Sequence, residues 1–151
     1  MPFTTTLLIL DEVPAPEKDM LGDQIAELKG KIIGQRVLDV EGPTMETNVS
    51  AKGSVKGTQV NVSLTYVARP TSAGVLHGEG QGVIMAGESD MAAYTGEAVG
   101  RFSSSGVIWR GAIFYRTSSS GELASLNSVV GLLEAEVDTE GNFSEKTWEW
   151  K

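Results

Sequence analysis

Short segments of alternating apolar and polar residues, separated by turn-forming residues at regular spacing, constrain the fold of this 151-residue chain most strongly. Alternation with a period of two is typical of strands that bury one face. The separators contain Gly, Pro, Asn, Asp or Ser, which favour tight turns. Because these connections are of hairpin length, consecutive strands are expected to pair antiparallel. The pattern predicts strands at 31–41, 44–55, 57–69, 74–86, 91–103, 106–117, 125–137 and 142–150.

Eight antiparallel strands in sequence close most economically into an up-and-down β-barrel, because closure leaves no exposed sheet edge. A two-sheet sandwich is the alternative. One helical segment precedes the strands: residues 18–29 place Met20, Ile25 and Leu28 at roughly helical spacing, although an internal glycine weakens the helix. We therefore predict an all-β fold, an eight-stranded antiparallel up-and-down barrel with one short N-terminal helix.

The composition excludes several classes of partner. A net charge of -8, with 12 scattered Lys and Arg residues, argues against a nucleic-acid partner. The absence of Cys excludes disulfides and thiolate metal sites, and it is consistent with the cytoplasm. The apolar run at residues 7–10 is too short for a signal peptide or a membrane span. We expect one cytoplasmic domain over residues 1–151, without a membrane partner and without a cofactor.

A glycine-rich stretch, LHGEGQGVIM at residues 76–85, raises the possibility of a phosphate-binding loop. Its glycines have GxGxG spacing, strand residues follow them, and no Lys-Ser/Thr pair is present, so the stretch indicates a strand instead. Alternate residues of a strand face opposite sides. The polar side of this strand, which is expected to face solvent, carries His77, Glu79 and Gln81.

The apolar side of the same strand carries glycines, and matching apolar faces across the next turns extends this bare surface. Gly78 then falls near Gly100, Gly80 near Ala98 and Gly82 near Gly96, and Gly100 falls beside Trp109. Because glycine weakens strands, several on one face require a reason. Either large aromatic rings lie over them in a filled, strongly curved barrel, or they leave a ligand cavity. The candidate ligand-binding residues on this face are Tyr66, Gly78, Gly80, Gly82, Tyr94, Gly96, Gly100, Phe102, Trp109 and Tyr115.

Few residues point to catalysis. His77 is the only histidine, so a site built from several histidines is excluded; a surface polar ladder with Glu97 or Arg101 opposite it is favoured. No calcium-loop spacing and no Gly-x-Ser-x-Gly motif is present, and we predict no metal. Arg36 is a candidate charged partner for an interior site if its strand turns it inward.

In the last strand, period-two alternation separates two tryptophans from polar neighbours. Trp148 and Trp150 are expected on the apolar, inward face, and Thr147 and Glu149 on the outer face.

Three pieces of the C-terminal part are distinctive: GEGQGV, WRGAIF and the terminal KTWEWK. Over roughly residues 60–151 the chain resembles an uncharacterised family of small bacterial and archaeal proteins, similar in fold to the allene oxide cyclase-like, calycin-like barrels. The resemblance implies an eight-stranded antiparallel barrel with an apolar cavity, often in homo-oligomers. The named relatives guide cyclisation or coupling of hydrophobic substrates, but none of their functional residues maps onto a position of this sequence.

Three functions are consistent with these observations. The leading hypothesis is that the barrel binds a small apolar ligand in its interior without covalent chemistry. The second is a cofactor-free isomerase or cyclase for a hydrophobic small molecule, in which Tyr66, Tyr94 or Tyr115 polarises an oxygen. The third is a structural or oligomer-forming protein with a filled barrel. A cavity below about 100 Å³ would argue against both ligand hypotheses, because ligand pockets usually measure several hundred.

Overall fold

Each strand pairs antiparallel with the strand that follows it, and the last strand pairs with the first to close a barrel. The computed structural model describes residues 21–151. The predicted antiparallel up-and-down barrel is therefore confirmed, and the sandwich alternative is not. The strands are β1 (Leu21–Asp39), β2 (Thr44–Val55), β3 (Thr58–Ser72), β4 (Val75–Ala86), β5 (Asp90–Ser103), β6 (Gly106–Arg116), β7 (Val130–Asp138) and β8 (Asn142–Trp150).

The predicted N-terminal helix is wrong over residues 21–29, which belong to β1; its first three residues lie outside the described part of the chain. The apparent helical spacing has a different origin. An irregularity in the β1–β8 pairing next to Gln24 allows Ile25 and Ala26, which are neighbours, both to be buried. Glycine also disfavours a helix here, since Gly22 lies within the predicted helix and Gly30 directly follows it.

The seventh predicted strand begins too early. A short 3-10 helix, Glu122–Leu126, precedes β7, so residues 125–129 are not strand. Leu123 and Leu126 of this helix are fully buried, at the three-residue spacing that brings side chains of a 3-10 helix onto one side. The Asp90 carboxylate, at the start of β5, accepts a hydrogen bond from the Leu123 backbone at 3.2 Å and holds the helix against the barrel.

Aromatic rings cover most of the interior glycines. A Cβ atom on Gly78 would lie 2.7 Å from Cζ3 of Trp109, and one on Gly100 would lie 2.8 Å from the same atom. A Cβ atom on Gly82 would likewise overlap the ring of Tyr94. Since no real Cβ approaches so closely, these glycines make room for the rings. The structure therefore favours the filled-barrel explanation for these glycines.

The predicted pairing of β4 with β5 is two residues out of register. Gly78 lies opposite Ala98 and Gly80 opposite Gly96, because the hairpin closes at the pair Ala86–Asp90. The faces are nevertheless correct, since a shift of two residues preserves the side to which each residue points. The predicted neighbours Gly100 and Trp109 are directly opposite each other in β5 and β6.

Candidate functional site

The aromatic packing leaves a small cavity inside the barrel. Its volume is about 70 Å³, and its walls are mostly apolar. Six of the ten predicted ligand-binding residues line it: Tyr66, Gly78, Gly80, Tyr94, Gly96 and Trp109. Gly80 differs from the covered glycines, because the nearest atom to an added Cβ would be Tyr66 Cβ at 3.3 Å. No aromatic ring covers Gly80, but a Cβ atom there would still be in close contact with β3.

The other four predicted residues do not line the cavity. Gly82 and Gly100 lie beneath aromatic rings. Tyr115 packs against Tyr94, with ring centroids 5.8 Å apart. Phe102 lies near the end of β5 and is 63% exposed, so its proposed role in the interior wall is wrong. Period-two alternation gives the direction of a side chain, but it does not show where the barrel ends.

The volume restricts what the interior can hold. About 70 Å³ is less than the roughly 100 Å³ that a ligand pocket requires, and about half of the 150 Å³ cavity that takes up benzene in another protein. Because one water occupies about 30 Å³ of liquid, the cavity has room for about two. The size argues against both ligand hypotheses for molecules of ordinary pocket size. Only a molecule of a few heavy atoms fits the barrel in this conformation.

The most unusual group in the cavity wall is Glu145, which the sequence prediction missed. Its side chain points inward from β8, and the residue is 6% exposed. Thr147 Oγ1 donates a hydrogen bond to Glu145 Oε2 at 2.8 Å, and Thr147 is the one side-chain partner of Glu145 within residues 21–151. Burial raises the pKa of Glu145 to about 6, because the apolar surroundings disfavour the charged form, while the Thr147 hydrogen bond opposes the shift.

Glu145 was missed because the inward and outward faces of β8 were assigned the wrong way round. Thr147 is fully buried, whereas Trp150 is 55% exposed. The pair Val137–Phe143 sets the register across the β7–β8 turn and places Glu145 opposite Ala135. Matching faces across this turn, as was done for β4 and β5, would have predicted the inward position of Glu145.

A second buried polar group belongs to a residue of the cavity wall and has no acceptor in good hydrogen-bonding geometry. Within the described chain, Nε1 of Trp109 is buried and has no acceptor in hydrogen-bonding geometry. Tyr66 is its polar neighbour: the two rings meet edge to face, with centroids 5.5 Å apart, and the indole is close enough to the Tyr66 hydroxyl to lower the pKa of that hydroxyl. An unsatisfied buried donor costs about 1–3 kcal/mol, so a molecule in the cavity that accepts this N–H would be favoured.

The three interior tyrosines remain protonated at neutral pH. Burial raises the pKa of Tyr66, and the Thr47 and Trp109 side chains only partly offset this effect. Burial also raises the pKa of Tyr94 and Tyr115, and the negative charge of Glu145 adds to the rise. Each hydroxyl is therefore a neutral group that can donate a hydrogen bond.

On the outer side of the same wall, β3 to β6 form an open groove of about 890 Å³. The predicted outward positions of His77, Glu79 and Gln81 are confirmed, since all three line this groove. Glu97 lies directly opposite Glu79, whereas Arg101 pairs with Val75. The ligand atoms of His77, Glu79 and Glu97 all lie within 4.8 Å of one another.

Arg36 does not contribute to the interior. Its side chain is 70% exposed and contacts Glu46 Oε2 at 3.3 Å on the outer side of the β1–β2 hairpin. An inward arginine at this position is therefore ruled out.

Comparison with protein-family models, with curated proteins and with solved structures finds no match to this chain. The resemblance to allene oxide cyclase-like barrels stays a prediction. Among residues 21–151, no helix has the length and apolarity needed to cross a membrane.

Proposed function

We propose that the barrel interior binds one compact, uncharged molecule, and that Glu145 is the polar anchor for it. The observation that supports this proposal is a buried carboxyl group with a single described side-chain partner in an otherwise apolar cavity. Such a group is costly to bury unless something else in the cavity bonds to it. A few polar groups in an apolar wall and a shifted pKa are features that this small cavity shares with larger small-molecule sites.

The cavity limits both the size and the chemistry of the ligand. The volume of about 70 Å³ corresponds to a molecule of about three to five heavy atoms. The apolar walls favour a hydrocarbon body, and the two polar groups favour one oxygen. A carbonyl oxygen would accept hydrogen bonds from Trp109 Nε1 and from protonated Glu145, and a hydroxyl would donate to the ionised form. We therefore expect short-chain ketones, aldehydes or alcohols as the ligand class.

Water is the competing occupant. The cavity is large enough for about two waters, and its two polar groups could bond to them. A ligand gains affinity only if its oxygen replaces those hydrogen bonds while its body covers the apolar wall. A hydrocarbon without an oxygen is therefore expected to bind more weakly than a ketone of equal size.

Titrating the protein with ketones and alcohols of increasing length tests this proposal, with the indole N–H resonance of Trp109 as the signal. The Trp109→Phe variant identifies that resonance among the three tryptophans. We expect a saturable shift for molecules of about three to five heavy atoms and none for larger rings. Glu145→Leu should weaken binding about tenfold, which corresponds to the loss of about 1.4 kcal/mol for one good hydrogen bond.

The matched control is Glu136→Gln, because Glu136 is exposed on the outer face of the adjacent strand β7. This variant should bind as the wild type does. If Glu145→Leu binds unchanged, Glu145 is not the anchor. If no compact molecule shifts the Trp109 resonance, the interior is filled core. The third hypothesis, a structural or oligomer-forming protein, then takes its place.

A second candidate function, a cofactor-free isomerase, is favoured by the pKa of Glu145. A carboxyl with a pKa of about 6 can both accept and release a proton near neutral pH, as a general acid–base must. Tyr66, whose hydroxyl is neutral, would polarise the oxygen of the substrate. The test is exchange of the hydrogens next to the carbonyl of a bound ketone in deuterated water.

In this test, Glu145→Gln should abolish the exchange, and Tyr66→Phe should slow it while leaving affinity within a few-fold. Exchange that persists in Glu145→Gln would contradict this role for Glu145.

The cytoplasmic location and homo-oligomeric assembly predicted from composition and resemblance remain part of the proposal. Chromatography with light scattering measures the assembly.

A further inference from the structure

The outer groove holds a group of metal-ligating side chains that the interior site does not use. His77 and Glu79 lie two residues apart on the outer face of β4, and Glu97 faces them from β5. A nitrogen of His77 and one carboxylate oxygen of each glutamate lie within 4.8 Å of one another. Because all three side chains are on two paired strands, the backbone ladder fixes their relative positions.

The pairing of Glu79 with Glu97 is unfavourable by itself. The two carboxylates are directly opposite each other in antiparallel strands, where like charges destabilise a sheet. The ion pairs of the described chain do not include either glutamate; Arg110, which also lines the groove, contacts Glu134 at 3.8 Å instead. A bound cation would convert this repulsion into attraction.

The donor set indicates the kind of cation. Imidazole nitrogen suits Zn²⁺ and similar transition metals, whereas sites for Mg²⁺ and Ca²⁺ consist of oxygen ligands. Three protein ligands leave at least one position of a tetrahedral Zn²⁺ for water or another molecule. The groove of about 890 Å³ provides space for that molecule beside the ion.

We propose that His77, Glu79 and Glu97 bind a divalent transition-metal ion, of which Zn²⁺ is the best match, with an open coordination position toward the groove. The prediction of no metal from the sequence is revised accordingly. A site of several histidines is indeed excluded, but one histidine combined with a carboxylate of its own strand and a carboxylate of the neighbouring strand is sufficient for three ligands. This site is independent of the interior, and neither proposal depends on the other.

Isothermal titration of the tag-free full chain with Zn²⁺, Mn²⁺ and Ca²⁺, in buffer of physiological salt, tests the proposal. We expect one equivalent of Zn²⁺ to bind, at least about tenfold more tightly than Ca²⁺. His77→Ala and Glu97→Gln should each weaken Zn²⁺ binding by at least about tenfold, since even indirect partners of a metal ligand contribute that much.

Glu46→Gln is the matched control, because Glu46 lines the same groove and carries the same charge but is outside the cluster. It should leave Zn²⁺ affinity within about twofold. Circular dichroism of each variant verifies that the barrel is folded. Equal affinity for Zn²⁺ and Ca²⁺, or binding that His77→Ala leaves unchanged, would show that the acidic surface attracts cations only through its charge, and would overturn the proposal.

Discussion

The wall formed by β4 and β5 separates carboxyl groups that lie in two different environments. On the inner side, Glu145 of β8 faces the glycine surface across a cavity of about 70 Å³. On the outer side, Glu79 and Glu97 lie opposite each other in an open groove of about 890 Å³. The inner carboxyl responds to burial by a raised pKa, which allows it to be neutral. The outer pair is solvated, so its repulsion is reduced by water or by a cation.

The paired glycines Gly80 and Gly96 connect the two regions, since both residues line the cavity and the groove. With no side chains on its inner face at this point, the wall is only one backbone layer thick. A chemical change on one side can therefore be compared with a matched change on the other.

Removing Trp109 should have the largest effect. Trp109→Ala deletes a buried ring that covers Gly78 and Gly100, and the expected loss of unfolding free energy is about 3–5 kcal/mol. The same variant should enlarge the cavity enough to bind benzene-sized molecules. Chemical denaturation and ligand-dependent melting measure both effects. Trp150→Ala, at a position 55% exposed, is the control and should cost less than about 1 kcal/mol.

Two glycines of the same strand should respond differently to a methyl group. Gly78→Ala would place Cβ 2.7 Å from the Trp109 ring, and such overpacking costs about 1–3 kcal/mol. Gly80→Ala meets its nearest atoms, Tyr66 Cβ and the Thr65 carbonyl oxygen, at 3.3 and 3.4 Å and should therefore cost less than Gly78→Ala. Denaturation of the two variants is the measurement. Equal losses at both positions would contradict the looser packing around Gly80.

Glu145 should make stability depend on pH. The folded protein retains the proton up to about pH 6, whereas the unfolded chain releases it near 4.5. Between these values the folded state binds more protons, so its stability falls as pH rises and levels off above them. A shift of this size corresponds to about 2 kcal/mol. In denaturation curves across this range, Glu145→Gln should remove the decline and Glu136→Gln should keep it.

The smallest effect is expected from the outer carboxylates. Without metal, Glu97→Gln removes the repulsion with Glu79 and should stabilise the barrel by about 0.2–1 kcal/mol. With Zn²⁺ in excess, the wild type should become the more stable of the two, because it binds the ion more tightly and therefore gains more stability. A destabilised Glu97→Gln in metal-free buffer would show that no repulsion exists. Thermal melts with and without chelator measure the difference.

The barrel was predictable from sequence because hairpin turns and period-two alternation are local signals. They gave the faces of β3 to β7 correctly, including the outward His77 and the glycine surface. The helix over residues 21–29 was wrong because a pairing irregularity beside Gln24 produced the apparent helical spacing of Ile25 and Leu28.

The site was only partly predictable. The cavity volume depends on how far the Trp109 ring extends over Gly78 and Gly100, which is a property of packing and not of periodicity. Glu145 was missed because a charged residue in an alternating segment is normally assigned to solvent. The Glu79–Glu97 pair could have been predicted, since it follows from the outward faces of β4 and β5 once the register of their hairpin is known.

The pKa of Glu145, measured by ¹³C resonance of its carboxyl carbon with and without a short-chain ketone, tests the central claim most directly. Glu145→Gln identifies the resonance by its disappearance. We predict a pKa of about 6 in the free protein and a higher pKa in the complex, because the ketone oxygen bonds only to the protonated form. A pKa near 4.5 that the ketone does not change would contradict a buried, ligand-binding carboxyl in the barrel interior.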